Sequence, residues 1–326
     1  MGHTPQGEFD LIRAFTSALP LSGEGVVLGP GDDAALLAPP PGEELVATVD
    51  AVEEGVHFDA RFTPADVGWK ALAVNLSDLA AMGARPLWAL VALGVPRGTP
   101  AARLAGVARG LGACARRYGI AVAGGNVTRA RGLSLTITVV GSARKGKALR
   151  RRGARPGDAV LVSGTLGEAA LGLEPGAPAR FARRQRRPEP RLDLGRALAG
   201  LASAAIDLSD GLVQDLGHLC RASGVGASLR IAELPLSPAY RRATAGRPDP
   251  WAPALSGGED YELCVTVPVR RVAQALAAAR AVGTPLCVVG TVTRALGVQV
   301  ARPGGGRHPV TPGHDHLAAL RRLTRR

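Results

Sequence analysis

The chain has 326 residues, 46% of them hydrophobic but only 3% aromatic, with a formal net charge of +13. That length exceeds a usual single domain, so two domains are expected. No apolar run approaches the roughly eighteen residues of a membrane span, and the basic excess is arginine spread without the aromatic interleaving of a nucleic-acid surface, so neither membrane nor nucleic acid is an expected partner.

Strand-like and helix-like stretches alternate in chain order, which predicts an α/β (α+β) architecture. The opening "MGHTPQGEFDLIRAF" has no basic n-region and no apolar signal core, so export is not expected and a cytoplasmic location is. "GPGDDAALL" (29–37) sets Asp32 and Asp33 side by side in a tight glycine turn. "ELVATVDAV" reads as a strand leading into the loop "EEGVHF". From Pro64 to Met82 the pattern is helical, with Trp69, Leu72, Ala73, Leu76 and Leu79 on one stripe. The strand "PLWALVALGV", a helix over 99–118, a short strand into the turn "AVAGGNVT" and the strand "LSLTITVVG" follow.

The basic stretch "SARKGKALRRRGARPGD" lacks an apolar period and places a domain boundary near residue 152. Beyond it come a strand "DAVLVSG", a helix over 193–203, a strand "SAAIDLS", a helix over 211–223, strands "ASLRI" and "YELCVTV", a helix over 269–282 and a strand "PLCVVG". The segment 174–192, rich in Pro and Arg, is expected to be an exposed loop. "VNLSDLAAMG" (74–83) and "IDLSDGLVQDLG" (206–217) share a Leu-Ser-Asp core, either by accident or because the two halves are related. Cys114, Cys220, Cys264 and Cys287 are widely spaced and read as small core residues.

Two phosphate motifs are mimicked and fail. Gly29–Ala34 matches G-x-G-x-x-A, but Pro39, Pro40 and Pro41 forbid the helix whose N-terminus would hold pyrophosphate. Gly141–Ala148 is nearly a P-loop, but Ala148 stands where a hydroxyl would hold magnesium.

Acidic residues gather instead beside glycines and at element ends: Asp32 and Asp33, Asp50, Asp78, Asp207 and Asp210 around Ser209, and Glu259 and Asp260 in "SGGEDYEL". Each alone reads as well as a cap, an Asx turn or a solvated acid. Together, in so basic a chain, they suggest a shared polyvalent cation site. Magnesium takes carboxylate oxygens along with substrate phosphates, and adjacent acids that repel a bare nucleotide attract its metal.

The motifs "GEFDLI", "GPGDDAALL", "VDAVEEGVHF", "DVGWKALAVNLSDLAAMGARP", "AGGNVTR", "RRGARPGD", "AIDLSDGLVQDLGHL" and "LSGGEDYELCVTV" run in order over nearly the whole chain. In them the chain resembles the thiamine-monophosphate kinase family, within the superfamily of aminoimidazole ribonucleotide synthetase. The resemblance implies a two-domain fold of that type. An N-terminal domain over 1–152 would bind ATP and magnesium and pair its sheet in a homodimer, and a C-terminal α/β domain over 153–326 would complete the contacts. It implies ATP-dependent phosphorylation of thiamine monophosphate with several Mg²⁺ ions. By motif match, Asp33, Asp50, Asp78, Asp207 and Asp210 would bind metal, together with Asn126 and the backbone of Val49. Gly125, Asn126, Arg151 and Ser209 would contact ATP, with Arg151 and Asp210 serving catalysis, and His57, Glu259 and His314 would contact the thiamine phosphate.

Three positions depart from the family pattern. Asn126 stands where Asp is usual, Val49 where a hydroxyl residue is common, and His314 where an aromatic usually covers the thiamine ring. The alternatives are a sister enzyme acting on another small acceptor, or a non-catalytic nucleotide-binding protein. The absence of a cysteine before Cys114 and the ending "RRLTRR" weigh against two of the sister enzymes.

Overall fold

The computed structural model describes residues 8–302 and 304–309. The chain divides into two compact units. One holds the residues up to Ala148 together with Arg186–Leu192, and the other holds Leu149–Gln185 and the chain from Asp193 onward. The change of unit falls at Ala148–Leu149, and the return of Arg186–Leu192 to the first unit has no counterpart in the sequence pattern.

The first unit comprises α1 (Glu8–Thr16), β1 (Val26–Leu28), β2 (Leu36–Leu37), β3 (Glu43–Glu53), α2 (Pro64–Ala81), β4 (Arg85–Val95), α3 (Ala101–Tyr118), β5 (Ala121–Arg129) and β6 (Ser134–Arg144). Its four-stranded sheet has the order β3-β6-β4-β5, antiparallel except for the parallel β4–β5 pair. Strand alternation separates two faces. Val91, Leu93, Leu135, Ile137 and Val139 are buried on the face that α2 packs against, with α3 behind it. The other face exposes Leu45, Val49 and Leu90. The β1–β2 hairpin covers part of it, where Val26 and Leu37 pack on Trp88 and Ala121.

α2 starts where the sequence says it must. Thr63 caps it, Pro64 takes the first turn, and Asp66 completes a capping box that satisfies amides the helix itself cannot. The helix is buried nearly all round, including Asn75, Ser77 and Lys70, so the single apolar stripe describes less of its burial than expected.

The second unit comprises β7 (Ala159–Ser163), α4 (Glu168–Leu171), α5 (Ala179–Arg186), α6 (Leu192–Leu198), β8 (Ala204–Asp207), α7 (Leu212–Ser223), β9 (Gly226–Arg230), α8 (Pro238–Thr244), α9 (Ala252–Ser256), β10 (Leu263–Val267), α10 (Val272–Ala281), β11 (Leu286–Thr293) and β12 (Gly297–Ala301). Its sheet runs β12-β9-β11-β7-β10-β8 and is mixed, the β12–β9 pair being parallel. The central strands β7 and β10 are buried along their whole length. The core joins Val160, Val162, Ile206, Leu216, Leu219, Leu229 and Cys264.

Several expectations are corrected. The segment 174–192 is not an exposed loop: it contains α5, with Phe181 0% and Gln185 2% exposed. Farther on, Trp69 Nε1 donates to Pro188 O at 3.0 Å and Arg187 pairs with Asp66. The helix expected to reach 203 ends at Leu198. The Leu-Ser-Asp echo carries no structural repeat, since Leu76–Asp78 is helical whereas Leu208–Asp210 turns from β8 into α7. The described stretch 29–42 contains no helix, in keeping with Pro39, Pro40 and Pro41. Cys114, Cys220, Cys264 and Cys287 are free thiols, three of them buried. No helix among the described residues is long and apolar enough to cross a membrane.

Candidate active site

In the first unit, alternation along β3 turns Thr48 and Asp50 toward α2 and leaves Val49 pointing to the open face, 57% exposed. Only the main chain of Val49 is therefore on offer near Asp50. Asn75 and Asp78, three residues apart on α2, meet this strand from above. Thr48 Oγ1 donates to Asp78 Oδ2 at 2.5 Å, and the Asp50 amide donates to Asn75 Oδ1 at 3.0 Å. Asn75 Nδ2 in turn donates to Ala71 O at 3.0 Å, which fixes its amide orientation. Asp50 keeps access to solvent, yet its pKa is pushed up to about 6, first by the protein wall around it and then by the Asp78 carboxylate. Oxygen ligands with surplus negative charge are the donor set of a hard divalent cation.

Asn126 is not in the expected turn. "AVAGGNVTR" is one continuous strand, β5, in which Gly125 pairs with Val91 and Asn126 with Ala92. A side chain at 125 would meet Val91 O at 2.0 Å, so glycine is required by the close strand. The registers align Asp50, Ile137, Val91 and Gly125 in one row across the sheet. Three strand spacings make that row about 14 Å long. Within one chain, Asn126 is thus too far from Asp50 to share one ion with it.

Asp33 lies exposed in the connection between β1 and β2, where its amide donates to Asp32 Oδ1 at 2.8 Å. Asp32 is thus engaged as a local acceptor within the loop. His57 follows β3 in a turn: its Nδ1 accepts the Glu53 amide at 3.1 Å. A ring whose Nδ1 accepts carries its proton on Nε2 when neutral, so the imidazole presents a donor. The buried ammonium of Lys70 holds the His57 carbonyl at 3.2 Å and lies 5.4 Å from the centre of the Phe62 ring.

In the second unit, β8 ends at Asp207 and the chain turns through Leu208, Ser209 and Asp210 into α7. Asp215 pins that turn, accepting the amides of Asp210 and Gly211 at 3.0 and 3.1 Å, while Gln214 Nε2 donates to Asp210 Oδ2 at 3.0 Å. Burial, then Asp207 and Asp210, push the Asp215 pKa up to about 8. Asp210, Asp215 and His218 bring ligand atoms within 4.8 Å of one another. The His218 pKa is held down by desolvation and by Arg221 and Arg151, which places the Arg151 charge in this neighbourhood. Sequence reasoning did not single out Asp215 and His218. Their i, i+3 spacing on one helix face was the available signal.

The glycine-rich acidic segment is stitched onto the same turn. Glu259 N donates to Ser209 O at 2.7 Å and Tyr261 N to Leu208 O at 2.8 Å. Gly258 at φ 70 sits where a Cβ would approach Ser209 O to 2.6 Å. Glu259 and Tyr261 also adopt left-handed backbone, φ 61 and 49, a conformation that costs free energy outside glycine and is found where surrounding contacts enforce it. Asp260, between them, turns inward and accepts the Gly167 amide with both oxygens at 3.0 and 2.8 Å, and burial pushes its pKa up to about 7. Glu259 and Asp260 therefore divide: the first is half-buried beside the Ser209–Asp210 turn and the second is structural. His314 lies outside the described residues.

Two family models match the chain: AIR synthase related protein, N-terminal domain, over residues 31–143, and AIR synthase related protein, C-terminal domain, over 155–301. A thiamine-monophosphate kinase of Escherichia coli (strain K12) is 42% identical over 329 residues, covering 96% of this chain and 98% of that protein. A crystal structure of thiamine-monophosphate kinase from Stenotrophomonas maltophilia K279a superposes with a TM-score of 0.82 at 42% identity, covering 90% of this chain and 96% of that one. The structure of AaThiL complexed with AMPPCP and TMP superposes with a TM-score of 0.76 at 32% identity, over 97% of this chain and 99% of that chain.

Proposed function

The chain belongs to the thiamine-monophosphate kinase family of AIR synthase related proteins, and from that premise we propose that it transfers the γ-phosphoryl group of ATP to thiamine monophosphate. A terminal oxygen of the acceptor's phosphate attacks the γ-phosphorus, the bond to the β-phosphate oxygen breaks, and thiamine diphosphate and ADP result. The acceptor oxygen is ionised near neutral pH, so no strong general base is required. The barrier lies in bringing two anions into line.

The observation that carries this reading is the stitching of Glu259 and Tyr261 onto Ser209 and Leu208. It brings Glu259, which we assign to the acceptor, beside the turn bearing Asp207, Ser209 and Asp210. Asp50 and Asp78 in one unit, and Asp207 and Asp210 in the other, are the residues that would hold Mg²⁺, and their hard oxygen donors suit it. When bound, Mg²⁺ supplies neutralisation of the phosphate charge at those carboxylates. Asp215 keeps the turn in shape through two amide hydrogen bonds. Arg151 is assigned to the ATP phosphates as a permanent cation, and Ser209 and Gly125 to nucleotide contacts. His57 is assigned to the acceptor phosphate through its Nε2 proton, as a hydrogen-bond donor and not as a base.

The enzyme is further proposed to be a cytoplasmic homodimer. The open, partly apolar sheet face at Leu45, Val49 and Leu90 supports pairing with a second copy. The row of about 14 Å separating Asp50 from Gly125 and its neighbour Asn126 is a further reason, since a second copy is a means of bringing Asn126 to Asp50.

Purified protein incubated with ATP, Mg²⁺ and thiamine monophosphate is expected to produce thiamine diphosphate and ADP in equal amounts. Nucleotide binding without turnover would overturn the assignment. Sedimentation that finds a monomer under turnover conditions would overturn the dimer.

A further inference from the structure

α5 does more than fill space. Two consecutive side chains reach from it to the glycine-rich acidic segment: Arg184 Nη2 donates to Glu262 Oε1 and Gln185 Nε2 to Glu259 Oε2, each at 2.7 Å. The two contacts differ in kind. Glu262 is 0% exposed and also accepts Ser163 Oγ at 2.6 Å, so Arg184 anchors the helix on a buried carboxylate. Gln185 is 2% exposed, yet the carboxylate it reaches belongs to Glu259, which is half-buried beside the Ser209–Asp210 turn.

The backbone of Glu259 is already held in its left-handed conformation by the bond to Ser209 O. What that bond leaves unset is the side chain, whose torsions permit several staggered positions. A buried donor on a rigidly anchored helix, Gln185 Nε2 at 2.7 Å from Oε2, favours one of them, and the Tyr261 hydroxyl donates to Oε1 at a longer 3.4 Å. The pairing also sets the amide of Gln185, because an ionised carboxylate only accepts and the NH₂ must face it.

We propose that Gln185 is a positioning residue for the acceptor: it aims the Glu259 carboxylate at the cationic, amino-bearing ring system of the thiamine phosphate. The proposal rests on the reading that Glu259 contacts the acceptor. A carboxylate held firmly in one rotamer binds such a ring without first ordering itself, and one held less firmly must lose more freedom on binding. The nucleotide does not enter this relation, so the effect falls on the acceptor alone.

Steady-state kinetics with both substrates varied test it. Gln185→Ala is expected to raise the KM for thiamine monophosphate by roughly tenfold, the scale of one hydrogen bond to a charged group, while the KM for ATP changes less than about twofold. Gln185→Met, which keeps the length of the side chain and loses the donor, should do the same if the alanine variant does not fold. In a Glu259→Ala background, Gln185→Ala should have no further effect, since the pair acts through one carboxylate. An unchanged acceptor KM in the Gln185 variants, an equal rise for ATP, or additivity with Glu259→Ala would each overturn the proposal. If Glu259→Ala itself leaves the acceptor KM unchanged, it is the underlying assignment of Glu259 that fails.

Discussion

Arg184 Nη2 lies 2.7 Å from Glu262 Oε1, and that glutamate is wholly buried. A buried carboxylate deprived of its cation keeps the desolvation penalty without the attraction that offset it. Arg184→Met is therefore expected to lower stability by about 3 kcal/mol, read as a shift in the unfolding midpoint. Adding Glu262→Gln, which removes the stranded charge, should recover part of that loss. A cost below about 1 kcal/mol, the usual range of an exposed pair, would contradict the anchoring role.

Asp260 gives the protein a pH dependence of definite sign. Burial pushes its pKa up to about 7, well above the value near 3.9 of an unfolded chain. Between those limits the folded state binds the extra proton, so this group's contribution to stability is full below about pH 4 and is lost as pH rises toward 7. Asp260→Asn carries no such proton. Relative to wild type its stability should improve across that interval, by at most about 1.4 kcal/mol per pH unit. Chemical denaturation at pH 5 and pH 8 reads the difference, and a constant gap would show that Asp260 is ionised throughout.

The coupling of Asp50 and Asp78 predicts a shared role in metal binding. Asp78→Asn and Asp50→Asn should each raise the Mg²⁺ concentration needed for half-maximal activity and lower kcat/KM by about 10²-fold or more, the scale of lost electrostatic stabilisation at a reacting phosphate. Thr48→Val, which removes only the hydroxyl on Asp78, should have a smaller effect of the same direction. Activity that survives Asp78→Asn at low Mg²⁺ would remove this pair from the site.

Asn126 offers a gain-of-function test. An amide contributes an oxygen but no charge to a hard cation. Asn126→Asp should lower the half-saturating Mg²⁺ concentration without altering the melting temperature by more than a few degrees, since residue 126 is exposed on β5. If neither Mg²⁺ affinity nor rate changes, position 126 lies outside the metal environment.

Much of this protein is legible along the chain. Thr63-Pro64 followed by Asp66 marks the start of α2 through local hydrogen-bond needs, the alternating apolar residues of β6 mark a half-buried strand, and the unbroken apolar run of β4 suits a buried one. The run of prolines after "GPGDD" excludes a dinucleotide fold by the same kind of local argument. The acidic residues of the candidate site could be named because carboxylates beside glycines are chemically conspicuous.

Tertiary structure decided the rest, wherever a residue's environment comes from chain far away. α5 does not stand out in the sequence because five of its eight residues are Arg or Gln and its apolar residues make no long stripe. It is held by Phe181 in the core and by Glu262, 78 residues distant from Arg184. The split between Glu259, which meets Gln185, and Asp260, turned inward to Gly167, is set by left-handed backbone that contacts with Leu208 and Ser209 enforce. The same word, Leu-Ser-Asp, became helix in one unit and turn in the other, because propensity over three residues is weaker than the packing around them. Local rules act over a few residues and can be read from order alone, whereas burial, charge coupling and strand register are sums over distant neighbours that exist only once the chain has folded.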